Sequence, residues 1–280
     1  MTTPQHHGIV VIGAGIAGAA IAHEIAARGH AVCLIDAASG PATQCSSHAH
    51  AIAHPHITKG SNKLLQLTRI AFTLAVDRWG SQWLHRGALQ PAKNESAFSA
   101  TETATHLHNL GLTPEEAYPV SAADAMELAG VPRAGVWYPN AGMLNLAQTT
   151  KQLLQPSANL QCIYGLQIDR LERRSECWTL LDCSGRPAIQ ADNVIVAAGL
   201  AAKSLLGSIS FKLPLKPVRG QLNFFQVEQG SAWFSRLPTA IICGDGYCLP
   251  KTQLSNGNLR WIVGSSFDEN ETDLAPRQTS

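Results

Sequence analysis

The sequence predicts an α/β fold, α+β over the whole chain, in which a parallel sheet is interrupted by a largely antiparallel insert. Three observations carry that prediction. A short run of mostly β-branched residues, Gly8-Ile9-Val10-Val11-Ile12, leads straight into a glycine-rich turn and an alanine-rich helix. A second apolar strand, Asp192-Asn193-Val194-Ile195-Val196-Ala197-Ala198-Gly199, ends in another small-residue turn. Strand signals at residues 221–227, 240–243 and 259–263 are of the kind that build an antiparallel sheet.

The opening run is continuous rather than alternating, as expected of a strand buried on both faces. Gly13-Ala14-Gly15-Ile16-Ala17-Gly18 follows at once and reads G-x-G-x-x-G. Residues 16–28 predict a helix, Gly29 its end, and residues 31–35 a second strand closed by Asp36, 18 residues after Gly18. Each part has a mechanical task. Gly13 permits the tight turn, Gly15 lets a pyrophosphate approach the backbone, and Gly18 lets helix and strand pack closely. The helix N-terminus offers free N–H groups and a partial positive charge to phosphates. Asp36 can accept hydrogen bonds from ribose hydroxyls. A lone G-x-G-x-x-G is weak, but one framed by strand, helix, strand and acid points to a Rossmann-like dinucleotide-binding unit. Gly13, Ala14, Gly15, Ile16, Ala17, Gly18 and Asp36 are its cofactor contacts.

Asp36 suits FAD or NAD equally. After it the chain enters a Ser/His-rich loop instead of continuing with regular βαβ units, as an NAD dehydrogenase would. Strand signals at residues 167–171 and 177–181 precede the strand ending at Gly199, an order like the meander of two-dinucleotide-type flavoproteins. This order selects FAD and places Gly199 close to it.

Composition bounds the rest. The 280 residues are 45% hydrophobic and 15% charged, which excludes disorder for most of the chain. No apolar run is long enough for a transmembrane helix, so no membrane partner is expected. The first apolar stretch is too short for a signal-peptide core and lacks a basic flank. Seven cysteines, odd in number and irregular in spacing, read as reduced thiols in a cytoplasmic protein. A net charge of +1 leaves no global field for nucleic acid, so any such contact needs a local patch. Arg69, Arg78, Arg86 and Lys93 are the candidates.

Residues 45–57, Cys-Ser-Ser-His-Ala-His-Ala-Ile-Ala-His-Pro-His-Ile, precede an amphipathic helix whose predicted apolar face is Leu64, Leu67, Ala71 and Leu74, and which carries Arg69, Phe72 and Trp79. This segment resembles the flavin-contacting loop of the D-amino-acid-oxidase (DAO) superfamily. More narrowly, with residues 262–274, it resembles the FAD-dependent C-terminal module of the MnmC family of bifunctional tRNA-modifying proteins. Gly142-Met143-Leu144-Asn145-Leu146, Pro217-Val218-Arg219-Gly220-Gln221 and Gly246-Tyr247-Cys248-Leu249-Pro250 extend the likeness over nearly the whole chain. The resemblance implies flavin contacts at Ser46, Ser47, Ala51 and Ile52, and a substrate contact at Tyr247. Ser47 and Ala51 stand where the family usually has glycine. The resemblance also implies a further glycine-rich segment beyond Leu274 that closes over the flavin, so the chain reads as a truncated product.

His48, His50, His54 and His56 alternate at period two and on a strand would share a face. Flavin chemistry needs no metal and no matching acid lies nearby, so no metal is expected. His54 and His56 are assigned to the flavin or substrate side of the loop. Arg219 fits either a two-pronged contact to a substrate carboxylate or an interdomain salt bridge.

The expected organisation is a discontinuous FAD-binding domain, residues 1–84 and 145–213, and a substrate domain, residues 85–144 and 214–280, ending in a frayed polar segment from residue 268. The resemblance implies oxidation of a carboxymethyl-substituted secondary amine, namely carboxymethylaminomethyl-uridine at the tRNA wobble position. Two alternatives are a free glycine, sarcosine or D-amino-acid oxidase and a non-catalytic truncated flavoprotein. No residue is identified as an acid–base catalyst.

Overall fold

The computed structural model describes residues 4–57, 63–174, 176–228, 230–233, 235–254 and 256–277. The chain divides into two compact units, each built from two segments. The first is Met1–His50 with Asn145–Pro217, and the second is Ala51–Leu144 with Val218–Ser280. The opening segment holds β1 (Gln5–Ile12), α1 (Ile16–Ala27) and β2 (Val32–Asp36). The chain then supplies the second unit with β3 (Ala51–Ala53), α2 (Lys63–Trp79), β4 (His85–Pro91), α3 (Ala100–Asn109), β5 (Tyr118–Val120), α4 (Ala122–Ala129) and β6 (Gly135–Leu144). It returns to the first unit as α5 (Leu146–Leu153), β7 (Leu160–Tyr164), β8 (Ile168–Arg174), β9 (Cys177–Asp182), β10 (Pro187–Val196) and α6 (Ala202–Gly207). The last segment adds β11 (Val218–Arg219), β12 (Leu222–Val227), β13 (Ile241–Cys243), β14 (Tyr247–Cys248), β15 (Thr252–Gln253), β16 (Leu259–Gly264) and β17 (Asp268–Glu269) to the second unit.

In the first unit the sheet order is β7-β2-β1-β10-β9-β8. β7, β2, β1 and β10 run parallel, and β9 and β8 continue as an antiparallel meander. Val10 stands opposite Cys33 on one side and Val194 on the other. Val10, Val11, Leu34 and Ile35 are fully buried, which explains why these strands are apolar without alternation. Each such side chain contributes about 1.5–3 kcal/mol through its burial. α1 buries Gly18, Ala19, Ala22 and Ala26, small residues that let it lie close to its neighbours. Gly29, at φ +85°, ends it in the left-handed conformation that glycine adopts freely.

The second unit's main sheet has the order β12-β16-β14-β13-β4-β6-β3, with β15 joined to β16 and β5 to β6. Every pairing is antiparallel except β13 with β4. Ala88 and Tyr138 belong to one apolar cluster and their chain neighbours Leu89 and Trp137 to another, so both faces of the sheet are covered.

Three expectations are revised. The first boundary falls after His50 rather than at residue 84, because β3 pairs with β6 and α2 delivers Leu65 to the same core as Tyr138. The face of α2 turned inward carries Leu65 and Phe72, whereas Leu64, Leu67 and Leu74 are more than half exposed. The segment from residue 268 is tied down as far as Arg277: β17 pairs with β11, and Gln221 exchanges two hydrogen bonds with the Arg277 backbone. Residues 278–280 lie outside the described residues.

Candidate functional site

The turn between β1 and α1 is built from backbone. Gly13 has φ +112°, and a Cβ there would lie 2.4 Å from the Ala197 carbonyl oxygen. A Cβ on Gly18 would lie 1.8 Å from the Gly13 carbonyl oxygen. Neither position admits a side chain. Gly15 differs: its φ is −76°, and the nearest obstacle to a Cβ is the Ser46 hydroxyl at 3.2 Å. Its glycine therefore serves whatever approaches from outside the protein. The N–H groups of Gly15, Ala17 and Gly18 make no hydrogen bond among the described residues, as befits a helix N-terminus that can receive an anion. Gly13, Ala14 and Gly18 are buried, while Gly15 and Ile16 are partly and Ala17 fully accessible.

Asp36 holds this turn from beside it. Its carboxylate accepts from the Ala14 N–H at 2.6 Å and from the Ala38 N–H at 2.8 Å. The buried Ser46 hydroxyl accepts from the Ile16 N–H at 2.9 Å, satisfying one of the orphan donors of α1. Gly199, at φ +55°, lies just beyond the carboxyl end of β10, where Ala197 packs on Gly13. A parallel sheet binds ligands at this end of its strands. Ser46 and Ser47 belong to a single 3₁₀ turn in the first unit, and Ala51 and Ile52 to β3 in the second. Ser47 and Ala51, the two departures from glycine, both have negative φ, so their side chains bring no backbone strain.

In the second unit the structure brings His54 and Tyr247 together. The His54 Nδ1 lies 2.8 Å from the Pro55 carbonyl oxygen, which fixes the proton on Nδ1. Nε2 is left as an acceptor, 3.5 Å from the Tyr247 hydroxyl. The His54 ring also packs against Tyr138, whose hydroxyl donates to Gln90 Oε1 at 2.5 Å. Burial pushes the His54 pKa below its usual value, against the pull of the Pro55 carbonyl, so the ring is neutral at pH 7. Burial pushes the Tyr247 phenol up, and Cys243 adds to the effect, so it keeps its proton. The Cys243 thiol is raised to about 12 by burial and is no nucleophile. Tyr138, Gln90 and Cys243 were not foreseen from sequence. Tyr247 also lines an open cleft of about 990 Å³ with Gln221, Asn223, Cys248 and Ser266. His56 is exposed and joins neither group.

Arg219 is 4% exposed and fully engaged on its Nη atoms. Nη1 pairs with Asp268 at 2.8 Å, and Nη2 donates to Gln221 Oε1 at 2.7 Å and the Ala275 carbonyl at 2.8 Å. The salt bridge lies within one unit. The four histidines expected to share a strand face do not, because β3 covers only Ala51–Ala53. Among the described residues no three His, Cys, Asp or Glu side chains are arranged to hold a metal. The candidate basic patch is spent on local partners: Arg69 on Glu116, Arg86 on Asn140 and the Gly80 carbonyl, and Lys93 on Asp245, while Arg78 is also engaged. No helix among the described residues is long and apolar enough to cross a membrane.

Comparison with known proteins decides the family. Residues 8–280 match the family described as FAD dependent oxidoreductase (DAO). The chain belongs to this family. The residues of its first unit fit the family's cofactor: the free N–H groups at the start of α1, and the cradle beside Gly15 that a Cβ would fill, suit a pyrophosphate. Among curated DAO relatives, the tRNA 5-methylaminomethyl-2-thiouridine biosynthesis bifunctional protein MnmC of Ralstonia nicotianae is 34% identical over 96% of this chain. MnmC of Burkholderia pseudomallei is 32% identical over 96%. The chain spans about 41% of the length of these relatives. Among solved structures, glycine oxidase from Bacillus cereus superposes with TM-score 0.70 at 19% identity, covering 95% of this chain and 73% of the other. An L-amino acid deaminase from Proteus myxofaciens reaches 0.68 at 16% identity, covering 93% and 59%. These two establish the shared fold.

Proposed function

We propose that this DAO-family chain oxidises a carboxymethyl-substituted secondary amine, with carboxymethylaminomethyl-uridine at the tRNA wobble position as substrate and the cytoplasm as its place of action. The observation that carries this reading is the 31–34% identity to MnmC proteins across 96% or more of the chain. When bound, FAD supplies the acceptor for a hydride from the carbon beside the amine nitrogen, leaving an imine that water splits into aminomethyl-uridine and glyoxylate.

The protein's part is binding and orientation. Gly13, Ala14, Gly15, Ile16, Ala17, Gly18, Ser46 and Asp36 hold the pyrophosphate and ribose of the cofactor, and Ser47, Ala51, Ile52 and Gly199 contact the rest of it. His54 and Tyr247 serve the substrate, His54 as a neutral acceptor and Tyr247 as a donor. A neutral imidazole raises no charge against the amine, which must lose its proton before its C–H bond can be oxidised. His56 is the exposed member of the substrate loop. Arg219 positions the segment carrying Gln221, since its guanidinium is committed to Asp268.

A second reading, oxidation of free glycine, sarcosine or a D-amino acid, draws on the likeness to glycine oxidase. Mass spectrometry of tRNA nucleosides separates the two, using a host that lacks its own enzyme, with and without this chain. Conversion of the carboxymethylaminomethyl nucleoside to the aminomethyl one supports the tRNA reading. Unchanged tRNA together with peroxide or dye reduction on glycine or sarcosine replaces it.

A further inference from the structure

The tRNA reading leaves open which surface receives the nucleic acid, since the arginines and lysine expected to do so are bound locally. The first unit offers another surface. Residues 193–227 contain no Asp or Glu, although the chain averages one acid in 14 residues. The same stretch holds Lys203, Lys212, Lys216 and Arg219. Arg219 is buried on Asp268, but the three lysines are exposed and form no salt bridge among the described residues. Lys203 reaches the Leu215 carbonyl at 3.4 Å, which brings it beside the segment that carries Lys216.

An aromatic ring stands among these charges. After α6 the chain closes with a hydrogen bond from the Phe211 N–H to the Leu206 carbonyl and another from the Ser210 N–H to the Gly207 carbonyl. This is the Schellman pattern, whose left-handed residue is usually glycine. Here it is Ser210, at φ +62°. The apolar residue that follows normally tucks back against the helix, yet Phe211 is 55% exposed. A strained turn thus presents a phenyl ring to solvent beside Lys212, within a run of cations.

We propose that Lys203, Lys212, Lys216 and Phe211 form a docking surface for RNA. The lysines neutralise backbone phosphates, and Phe211 stacks on an unpaired base of a loop. Opposite charge draws the partner, and the exposed ring distinguishes nucleic acid from an acidic protein. The surface is an irregular segment broken by Pro214 and Pro217, which lacks the long amphipathic helix by which proteins lie on anionic membranes. The inference rests on the tRNA reading for the identity of its partner.

The test is binding of fluorescent tRNA to the full FAD-loaded chain between 50 and 200 mM KCl. Three phosphate contacts predict that wild-type affinity falls roughly 20–40-fold over this range. The triple variant K203Q/K212Q/K216Q keeps its flavin spectrum but loses most of the binding and most of the salt dependence. Phe211→Ala weakens binding about tenfold with the salt slope unchanged, as expected for loss of stacking. A control triple, R28Q/K93Q/K151Q, removes the same charge and binds as the wild type. Four results overturn the proposal: no binding of tRNA by the wild type, unaltered binding by the first triple variant, equal loss in the control, or preference for phosphatidylserine vesicles over tRNA. Nucleoside analysis of the same proteins separates this proposal from the substrate reading. If tRNA binds through the lysines but its nucleosides are unchanged, the substrate reading fails and the surface stands. If the first triple variant converts the nucleoside with wild-type KM, the surface fails and the substrate reading stands.

Discussion

In the first unit the turn at residues 13–18 keeps its shape through main chain. The Gly13 and Gly18 Cα atoms lie against carbonyl groups, and the Ala14 and Ile16 N–H groups are held by one carboxylate and one hydroxyl. In the second unit the region around Arg219 keeps its shape through side chains. One guanidinium gathers Asp268, Gln221 and the Ala275 carbonyl from positions up to 56 residues apart. The contrast is one of tolerance. A backbone site rejects any added atom, whereas a side-chain site accepts substitutions that preserve its charges and hydrogen bonds.

The largest expected effect tests the first half of that contrast. Gly18→Val forces a Cβ onto the Gly13 carbonyl and costs more than about 4 kcal/mol, which thermal unfolding would register as loss of a cooperative transition. Gly15→Val is the companion variant. It costs only about 1 kcal/mol at a helix N-cap, so the chain folds, but it emerges without FAD absorbance near 450 nm (the ~450 nm flavin band serving as readout of a filled pyrophosphate site). A yellow Gly15→Val protein sinks the assignment of that cradle to the pyrophosphate.

Next comes the side-chain knot. Asp268→Ala leaves the Arg219 charge buried with neutral acceptors and destabilises the protein by about 3 kcal/mol in urea unfolding. Asp268→Glu, which keeps the charge, recovers part of the loss. A loss under about 1 kcal/mol for the alanine variant would mean that the guanidinium is solvated. A smaller effect is expected at Asp36, where a side chain serves the backbone turn. In Asp36→Asn one amide oxygen replaces two acceptors and an NH₂ meets an N–H, so stability falls by about 1–3 kcal/mol and FAD titrates more weakly. Unchanged FAD affinity would contradict its placement at the ribose.

The smallest expected effect is with pH. Burial lowers the pKa of His54 in the folded chain, and His7 and His85 shift the same way for the same cause. The unfolded chain therefore takes up protons first, and stability drops as pH falls below about 6.5. Urea midpoints measured from pH 7.5 to 5 should decline, and His54→Gln should flatten part of that decline. A midpoint rising toward pH 5 would show His54 to be charged in the folded protein.

The same contrast explains what was legible in the sequence. Gly13, Gly15, Gly18 and Asp36 are spaced by a local backbone task, so their spacing announces it. The meander through β8, β9 and β10 is legible for a similar reason, being a run of neighbours. The His54 group is not: Gln90, Tyr138 and Tyr247 come from three strands whose register depends on pairing across more than 100 residues. α2 misleads because it has two apolar stripes. Leu64, Leu67, Ala71 and Leu74 keep helical period as well as Leu65, Phe72 and Trp79 do. The inward stripe contains Arg69, whose polarity hides its burial until its pair with Glu116 is seen. The strand β6 contains Pro139 and Asn140, which disguise a central strand.

The interleaving of the two units bears on how the chain comes to be folded during synthesis. β1 needs β10 as its sheet neighbour, and Gln5 faces Ile189, 184 residues later. At roughly 5–20 residues per second, the ribosome makes β1 some 10–40 s before its partner exists. The whole of β3 to β6 emerges in that interval, and it too waits for β13, which follows β10. Pairings at such sequence separation are slow to form once the chain is free. β1, among the most apolar strands of the protein, therefore spends the longest time without its full set of neighbours, and a chaperone that shields residues 8–12 would raise the yield more than one acting on the finished chain.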